Sequence, residues 1–278
     1  MQIIQDPYFT VDLVSASPQP QKVCYLAAHQ DYSEKYVQDE FFGVVKGFDT
    51  VGSWGEWECE YVPEDEVWID PFNSGELDEK TAGERLIQHC VKYRHWGVLE
   101  HPQLVISAGY FPHEVMQQLR THRITSFDVQ SGRYTGQRIC QLSRGEIPES
   151  EIEKIFYLRP LGFYTDRQGN KYEYTEKHRQ EDLDFLWCMS HAYRDRIDQG
   201  FSEEHARQVY SDYALRQHFI MSANLRSWLH VISVRHKEDV QLETKTFAYE
   251  VWKIIKAWVP EVAKYFEEKH LNKNQLMP

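Results

Sequence analysis

The stretch LRTHRITSFDVQSGRYTGQR, at positions 119–138, concentrates side chains that could bind an anion. It contains a single acid, Asp128, and the basic residues Arg120, His122, Arg123, Arg133 and Arg138. Guanidinium groups form forked, charge-assisted hydrogen bonds with phosphate oxygens, and histidine adds a donor or an acceptor near neutral pH. The stretch is therefore typical of a site for a nucleotide phosphate. The alternative is a solvated basic helix end with ordinary surface ion pairs.

The elements that must position this stretch are short strands and helices that alternate without a regular strand–helix–strand repeat. Aliphatic runs predict strands at 103–110 and 216–224, and residues 127–135 are predicted to be extended. Periodicity and capping residues predict helices at 78–97, 111–123, 175–198, from Ser202 onward and at 224–235, and a last long helix that stops at Pro260. This mixture favours an α+β fold.

Spacing also predicts which side chains share a face of a helix or strand. The predicted sets are Val115, Leu119 and His122; Val129, Ser131 and Arg133; the apolar Leu225, Trp228, Leu229 and Ile232; and the polar Arg226, His230 and Ser233. The last long helix is predicted to pack through Phe247, Val251, Ile254 and Trp258.

Composition restricts the classes of partner. The 278 residues carry a formal net charge of −12, which argues against binding a nucleic-acid polymer or an anionic membrane. The five cysteines are widely spaced and form no CxxC pair, as expected for reduced thiols in the cytoplasm. The sequence shows neither a signal peptide nor an apolar run long enough to cross a membrane. We expect one domain over 1–278, with an acidic insertion around 35–76.

The segment THRITSFDVQSGRY resembles the signature R-H-R-x-x-S-x-N-E-x-S-x-R-Y of flavin-dependent thymidylate synthases. The matching residues are His122, Arg123, Ser126, Ser131, Arg133 and Tyr134. Three positions differ: Thr121 stands in place of arginine, Asp128 in place of asparagine and Val129 in place of glutamate. Arg120, one residue earlier, could supply the missing cation.

Two further segments resemble the same family. RHWGVLEHPQLVIS is similar to the stretch H-x-[ST]-P-F-E-H before a strand, with His95, Glu100 and His101 matching and Gly97 in place of the hydroxyl residue. SANLRSWLHVISVR is similar to N-x-R-S-x(7)-R, in which the matching residues are Asn224, Arg226, Ser227 and Arg235. The three motifs occur in the family's order.

The resemblance implies a fold, a reaction and an assembly. The fold would be a central sheet flanked by helices, in homotetramers whose active sites are shared between chains. The enzyme would make dTMP from dUMP, with 5,10-methylenetetrahydrofolate as carbon donor, NADPH as reductant and FAD as the carrier of the hydride. A local cationic site for dUMP and FAD phosphates would explain why an acidic protein gathers its arginines here.

The resemblance also implies roles for individual residues. The dUMP-binding residues would be Gln118, Arg120, Val129, Gln130, Ser131, Gly132, Arg133 and Arg207. The FAD-binding residues would be His95, Gly97, Glu100, Thr121, His122, Arg123, Asn224, Arg226 and His230. Arg235 would contact the uracil ring and stabilise its anion as charge develops, which makes it the predicted catalytic residue.

Two other functions are compatible with the sequence. One is a nucleotide or flavin sensor that lost activity through the change at Val129. The other is a metal-dependent nucleotide hydrolase built on His89, His95, His101, His113 and His122, although no HExxH motif supports it.

Overall fold

The computed structural model describes residues 2–18, 20–32, 89–90, 92–166, 168–210 and 214–271. Contacts divide the chain into two compact units, Met1–Ser17 with Gln103–Pro278, and Pro18–Pro102. The acidic segment around 35–76 and most of the helix predicted at 78–97 lie outside the described residues. The single domain and its insertion therefore stay predictions.

The unit Pro18–Pro102 contains helix α1 (Pro20–Tyr32) and a 3-10 helix (Trp96–Glu100). Its buried residues include Cys24, Cys90 and Leu99. Burial raises the pKa of the Cys24 thiol to about 12, so this thiol stays protonated at neutral pH. The backbone N–H of His95 donates to the carbonyl of Cys90 at 2.8 Å, immediately before the 3-10 helix.

The larger unit is built on a four-stranded sheet of order β1-β2-β6-β3. The strands are β1 (Thr10–Ala16), β2 (Gln103–Pro112), β3 (Ser126–Val129) and β6 (Arg216–Asn224). A separate hairpin pairs β4 (Gly162–Thr165) with β5 (Lys171–Tyr174). Neighbouring strands in both sheets are antiparallel, which confirms the α+β prediction. The strands predicted at 103–110 and 216–224 are both present.

The helices of the larger unit are α2 (His113–Leu119), α3 (Gly132–Thr135), α4 (Gln137–Ser143), α5 (Ile152–Ile155), α6 (Glu176–Asp198), α7 (Glu203–Ala206), α8 (Leu225–Arg235), α9 (Leu242–Trp258) and α10 (Pro260–Lys269). The helices predicted at 175–198, after Ser202 and at 224–235 correspond to α6, α7 and α8. Gly200, just beyond α6, has a φ of 85°, which glycine adopts without strain.

Helices α8 and α9 pack on the sheet through its alternating apolar residues. Leu104 and Ile106 of β2 are completely buried. The indole N–H of Trp228 donates to the carbonyl of Leu104 at 3.1 Å, and the ring of Phe247 meets Phe111 edge-on at 5.6 Å between centroids. The predicted apolar stripe of α8 is buried, which fixes the orientation of this helix over the sheet.

A second core joins α4 to α6. Its buried residues include Ile139, Leu142, Leu186, Met189 and Tyr193. A Cβ atom at Gly136, between α3 and α4, would overlap the Tyr193 hydroxyl. Only glycine therefore allows this close approach, which holds the start of α4 against α6.

The predicted helix over 111–123 is too long, because α2 ends at Leu119. The hydroxyl of Thr121 donates to the carbonyl of Gln118 at 2.8 Å, and such a side-chain bond competes with continued helical pairing. His122 therefore does not share a helical face with Val115. It is nevertheless buried, and its N–H donates to the carbonyl of Leu119 at 2.9 Å.

The extended segment predicted at 127–135 is also partly wrong. Strand β3 ends at Val129, and the Ser131 side chain caps α3 by accepting from the N–H of Arg133 at 3.3 Å. Because the backbone turns helical after Ser131, the predicted common face of Val129, Ser131 and Arg133 does not exist. Serine is a preferred helix N-cap, and its side chain satisfies an N–H that the helix leaves unpaired.

Two helical faces need smaller corrections. Ser233 is buried and donates to the carbonyl of His230 at 2.8 Å, so it does not belong to a polar face. In α9, Ile255 is completely buried in place of the predicted Ile254. This helix ends at Trp258, and Pro260 begins α10, where its missing N–H costs nothing.

Candidate functional site

The guanidinium of Arg235, the last residue of α8, joins that helix to the turn after α2. Its Nε donates to Nε2 of His122 at 2.9 Å, and its Nη1 donates to Oε1 of Gln118 at 3.0 Å. Its Nη2 donates to the Gln118 carbonyl and to the Thr121 hydroxyl, both at 2.7 Å. We call these four residues the Arg235 cluster. It brings together predicted site residues from two separate sequence motifs.

Thr121 has a definite task in this cluster. Its hydroxyl donates to the Gln118 carbonyl and accepts from Arg235. An arginine, which the resembling signature has at this position, carries no acceptor and could not receive the second bond. The threonine that stands here in place of arginine therefore supplies an acceptor that Arg235 uses.

The contact with Arg235 fixes the state of the His122 ring. A guanidinium only donates, so Nε2 of His122 accepts and the ring proton lies on Nδ1. Burial, together with the nearby Arg235 and His230, lowers the pKa of His122 to about 4. His122 is therefore neutral near pH 7 and offers one N–H donor.

Helix α8 carries the other predicted cofactor residues, with Asn224 as its N-cap. Asn224 caps the helix by accepting from the N–H of Ser227 at 2.9 Å, and Arg226 lies half-buried in the first turn. One turn later the ring of His230 meets His122 edge-on, with 5.6 Å between centroids. The helix thus presents Arg226, His230 and Arg235 in succession towards its C-terminal end.

The loop of residues 129–133 runs from the last residue of β3 into the first turn of α3. The N–H of Gln130 donates to the carbonyl of His218 at 2.9 Å, which holds the loop against β6. A Cβ atom at Gly132 would lie 3.5 Å from the Tyr210 hydroxyl, so this residue leaves little space on that side. Ser131 and the backbone around it are half-buried, within reach of a ligand from solvent.

Arg133 extends from this loop into solvent and pairs with Glu204 in α7. It also donates to the Tyr134 hydroxyl at 3.1 Å. The contacts with Glu204 and Tyr134 raise the pKa of Arg133, so the guanidinium stays charged. Arg207 follows one turn after Glu204, at the end of α7, and α7 packs against α3. The structure therefore brings Arg133 and the Arg207 segment into one region.

The remaining predicted residues are placed as follows. Arg120 and Arg123 flank His122 and are exposed, in a position to meet a charged ligand. Val129 is half-buried and pairs with Phe219 in β6, while Asp128 is exposed. His95, Gly97 and Glu100 belong to the other unit, in and just before its 3-10 helix.

Two residues near the loop 129–133 were not predicted as site residues. Glu204 carries no sequence signal beyond an acid in the first turn of a helix, which is ordinary. Arg138 was counted among the basic residues of 119–138, but no motif assigns it a role. Its Nη2 lies 3.4 Å from Oε1 of Gln130.

The hydrolase alternative finds little support in the described part of the chain. That part contains no group of three or more histidine, cysteine or acidic side chains that could hold a metal ion. His113 is held by two amides, with Nδ1 2.6 Å from Gln217 Oε1 and Nε2 2.6 Å from Gln117 Nε2. His122 accepts a hydrogen bond from Arg235.

None of the helices described here is long and apolar enough to span a bilayer.

A cavity of about 370 Å³ opens at the other end of α2 and contains none of the predicted site residues. Its wall includes Glu114, the fully buried Glu243, and Arg159, which donates to both Glu243 oxygens. Burial and the nearby Glu243 raise the pKa of Glu114 to about 7. Because the acids Glu114, Asp182 and Glu243 line this cavity beside Arg159, it is less suited to an anion than the loop 129–133.

Comparison with known sequences identifies a family. The profile described as "Thymidylate synthase complementing protein" matches residues 12–261. A flavin-dependent thymidylate synthase of Haloarcula marismortui is 25% identical over 278 residues, covering 96% of this chain and 99% of the relative. The flavin-dependent thymidylate synthase of Geobacter sulfurreducens is 28% identical over 190 residues, covering 67% of this chain and 72% of its own.

Solved structures share the fold. The UMP/dUMP methylase PolB from Streptomyces cacaoi, bound with 5-Br dUMP, superimposes with a TM-score of 0.67 at 18% identity, and both chains are covered completely. The same methylase bound with 5-Br UMP gives a TM-score of 0.64 at 16% identity, with 99% of each chain covered.

Proposed function

Because this chain belongs to the thymidylate synthase complementing protein family, we propose that it is a flavin-dependent thymidylate synthase that converts dUMP to dTMP. The observation that carries the proposal is the Arg235 cluster, in which two motifs typical of these enzymes meet through direct hydrogen bonds. The carbon donor would be 5,10-methylenetetrahydrofolate and the reductant NADPH. Bound FAD would supply hydride transfer.

The residues present fit such ligands. Arg120, Arg123 and Arg133 are exposed cations in a protein of net charge −12, so they give a local field that attracts phosphates. The neutral His122 adds a directed donor. The half-buried loop 129–133 offers backbone N–H groups and the Ser131 hydroxyl, the groups that cradle phosphate oxygens elsewhere.

We assign the dUMP phosphate to the loop 129–133. Arg133 would form a forked pair with the phosphate, and Ser131 would donate its hydroxyl. Gln118, Arg120 and Arg207 would complete the nucleotide site. Ser131 would bind and not attack as a nucleophile, because in the described part of the chain its hydroxyl oxygen accepts from the N–H of Arg133 and no base is hydrogen-bonded to it.

We assign the flavin to the side of α8 and the turn after α2. The residues concerned are Thr121, His122, Arg123, Asn224, Arg226 and His230. For His95, Gly97 and Glu100, which belong to the other unit, a flavin role is implied by the resemblance alone. Arg235 would act on the uracil ring, where a fixed cation stabilises negative charge as it develops. His122 and Gln118 hold that guanidinium in one orientation, so little reorganisation is needed during reaction.

Glu204 competes with the phosphate for Arg133. The carboxylate holds the guanidinium in the ligand-free protein, and it must release Arg133 when a phosphate binds. Glu204→Gln is therefore expected to raise the affinity for dUMP about two- to fivefold, since the pair is exposed and weak. Calorimetric titration of dUMP would measure the change, and Glu203→Gln, on the same turn, serves as control. Unchanged or weaker binding would contradict the assignment of the phosphate to Arg133.

Anaerobic turnover tests the proposed function directly. The purified protein is expected to be yellow, with the absorbance of oxidised flavin, and to form dTMP from dUMP, methylenetetrahydrofolate and NADPH. Binding of dUMP and FAD without any dTMP would support the sensor alternative. Colourless protein with metal-dependent release of nucleoside would support the hydrolase.

We also propose a homotetramer with shared active sites, working in the cytoplasm. Its support is the resemblance, which implies this assembly. The described cysteines Cys24, Cys90, Cys140 and Cys188 are unpaired, in keeping with a reducing compartment. Light scattering of the flavin-loaded protein would measure the assembly.

A further inference from the structure

Arg138 is a half-buried cation in the first turn of α4, directly behind the loop 129–133. Its Nη2 donates to the carbonyl of Arg216 at 2.6 Å and to Oε1 of Gln130 at 3.4 Å. Its Nε is buried and has no hydrogen-bond partner among the described residues. The guanidinium therefore has donors that the protein, as described, leaves unused.

No carboxylate of the described residues pairs with Arg138. Burial lowers its pKa, and the nearby Tyr210 and Tyr110 hydroxyls oppose this only in part. Two other arginines of this unit have such partners: Arg133 pairs with Glu204, and Arg144 pairs with Asp198 at 2.6 Å. A cation taken out of water without an opposite charge is unfavourable, and a bound anion would remove that cost.

The position of Arg138 indicates which anion would bind to it. Gln130, its neighbour, lies inside the loop assigned to the dUMP phosphate. The Tyr210 hydroxyl, close to Gly132, also lies near Arg138. Arg133, a residue of the loop itself, extends into solvent, whereas the half-buried Arg138 contacts Gln130 of the loop from α4. The resembling signature ends at Tyr134, so it gives Arg138 no role.

We propose that Arg138 is a second phosphate-binding residue, which recognises the 5′-monophosphate of the nucleotide from behind the loop 129–133. This inference rests on the proposed function and deepens it. It assigns to Arg138 the preference for a nucleoside monophosphate over the nucleoside itself. Gln130 positions the guanidinium in the free protein, and the phosphate takes up the donors that are unpaired.

The test compares two ligands that differ only in the phosphate. dUMP and deoxyuridine are titrated calorimetrically into the flavin-loaded parent, Arg138→Gln and Arg138→Met. Loss of a charge-assisted hydrogen bond is expected to weaken dUMP binding about 10- to 100-fold in both variants, with deoxyuridine binding unchanged. Arg138→Met keeps the apolar stem and decides the matter if the glutamine variant does not fold.

Arg144→Gln is the matched control, since it removes the next arginine of the chain, whose partner is Asp198. It is expected to bind dUMP as the parent does. Equal dUMP affinity in parent and Arg138 variants, or an equal loss for dUMP and deoxyuridine, would overturn the inference and leave the proposed function standing. A parent that binds no dUMP would overturn both.

Discussion

Replacement of Arg235 by lysine is expected to lower kcat for dUMP methylation about 100- to 1,000-fold, the usual cost of removing one donor from a site of developing charge. Lysine keeps the charge but cannot reproduce the fork. Arg235 places Nε on His122 and two Nη atoms on Gln118 and Thr121, and a single ammonium cannot span these acceptors. We expect KM for dUMP to change much less than kcat.

The measurement is steady-state turnover of the flavin-loaded protein under anaerobic conditions, with flavin content and dUMP affinity determined in parallel. Lys253→Gln, which breaks a surface ion pair with Glu250 in α9, controls for loss of a charge. Turnover of Arg235→Lys within threefold of the parent would contradict a role at the uracil ring. A loss of flavin binding with normal dUMP affinity would indicate that Arg235 binds the cofactor and not the substrate.

The sequence could predict the parts of the site that lie on one element. The apolar spacing predicted the helix at 224–235, and α8 carries Arg226, His230 and Arg235 with Asn224 as its cap. Their roles at the site come from the resemblance and stay predictions. The meeting of Arg235 with His122 depends on how α8 packs against the turn after α2. That packing joins residues 113 positions apart, and no local pattern encodes it.

The predictions for residues 111–123 and 127–135 were partly wrong, and the residues responsible are visible in the local sequence. Ser131 followed by glycine is a helix start, but the aliphatic and aromatic residues before it favoured an extended reading of the whole segment. Thr121 ended α2 through a hydroxyl bond to the backbone, which propensity alone does not predict. Both features redirect the chain at predicted ligand-binding residues, where local rules are most often broken.

No local sequence pattern predicts the ion pair between Asp6 and Arg216, because 210 positions separate the two residues. Arg216 is completely buried, and Asp6 accepts from its Nη2 at 2.8 Å. The same guanidinium donates to the carbonyl of Tyr110 at 2.8 Å, where the backbone has a φ of 64°. The pair therefore ties the N-terminal segment to an irregular point of β2.

Asp6→Asn is expected to destabilise the protein by about 3–5 kcal/mol, since it leaves a buried guanidinium without an opposite charge. Asparagine keeps the shape of the side chain, so lost packing does not explain the change. Urea unfolding followed by tryptophan fluorescence would measure it. Glu267→Gln, which breaks an exposed pair with Lys256, should change the free energy of unfolding by less than about 1 kcal/mol.

The Asp6–Arg216 pair is also connected to the proposed phosphate site. The carbonyl of Arg216 accepts from Arg138, so a shift of Arg216 would move the guanidinium behind the loop 129–133. We therefore expect Asp6→Asn, at temperatures where it remains folded, to bind dUMP more weakly than the parent while binding deoxyuridine equally well. A large loss of stability with unchanged dUMP affinity would show that Arg216 supports the fold alone, and that Arg138 keeps its position without it.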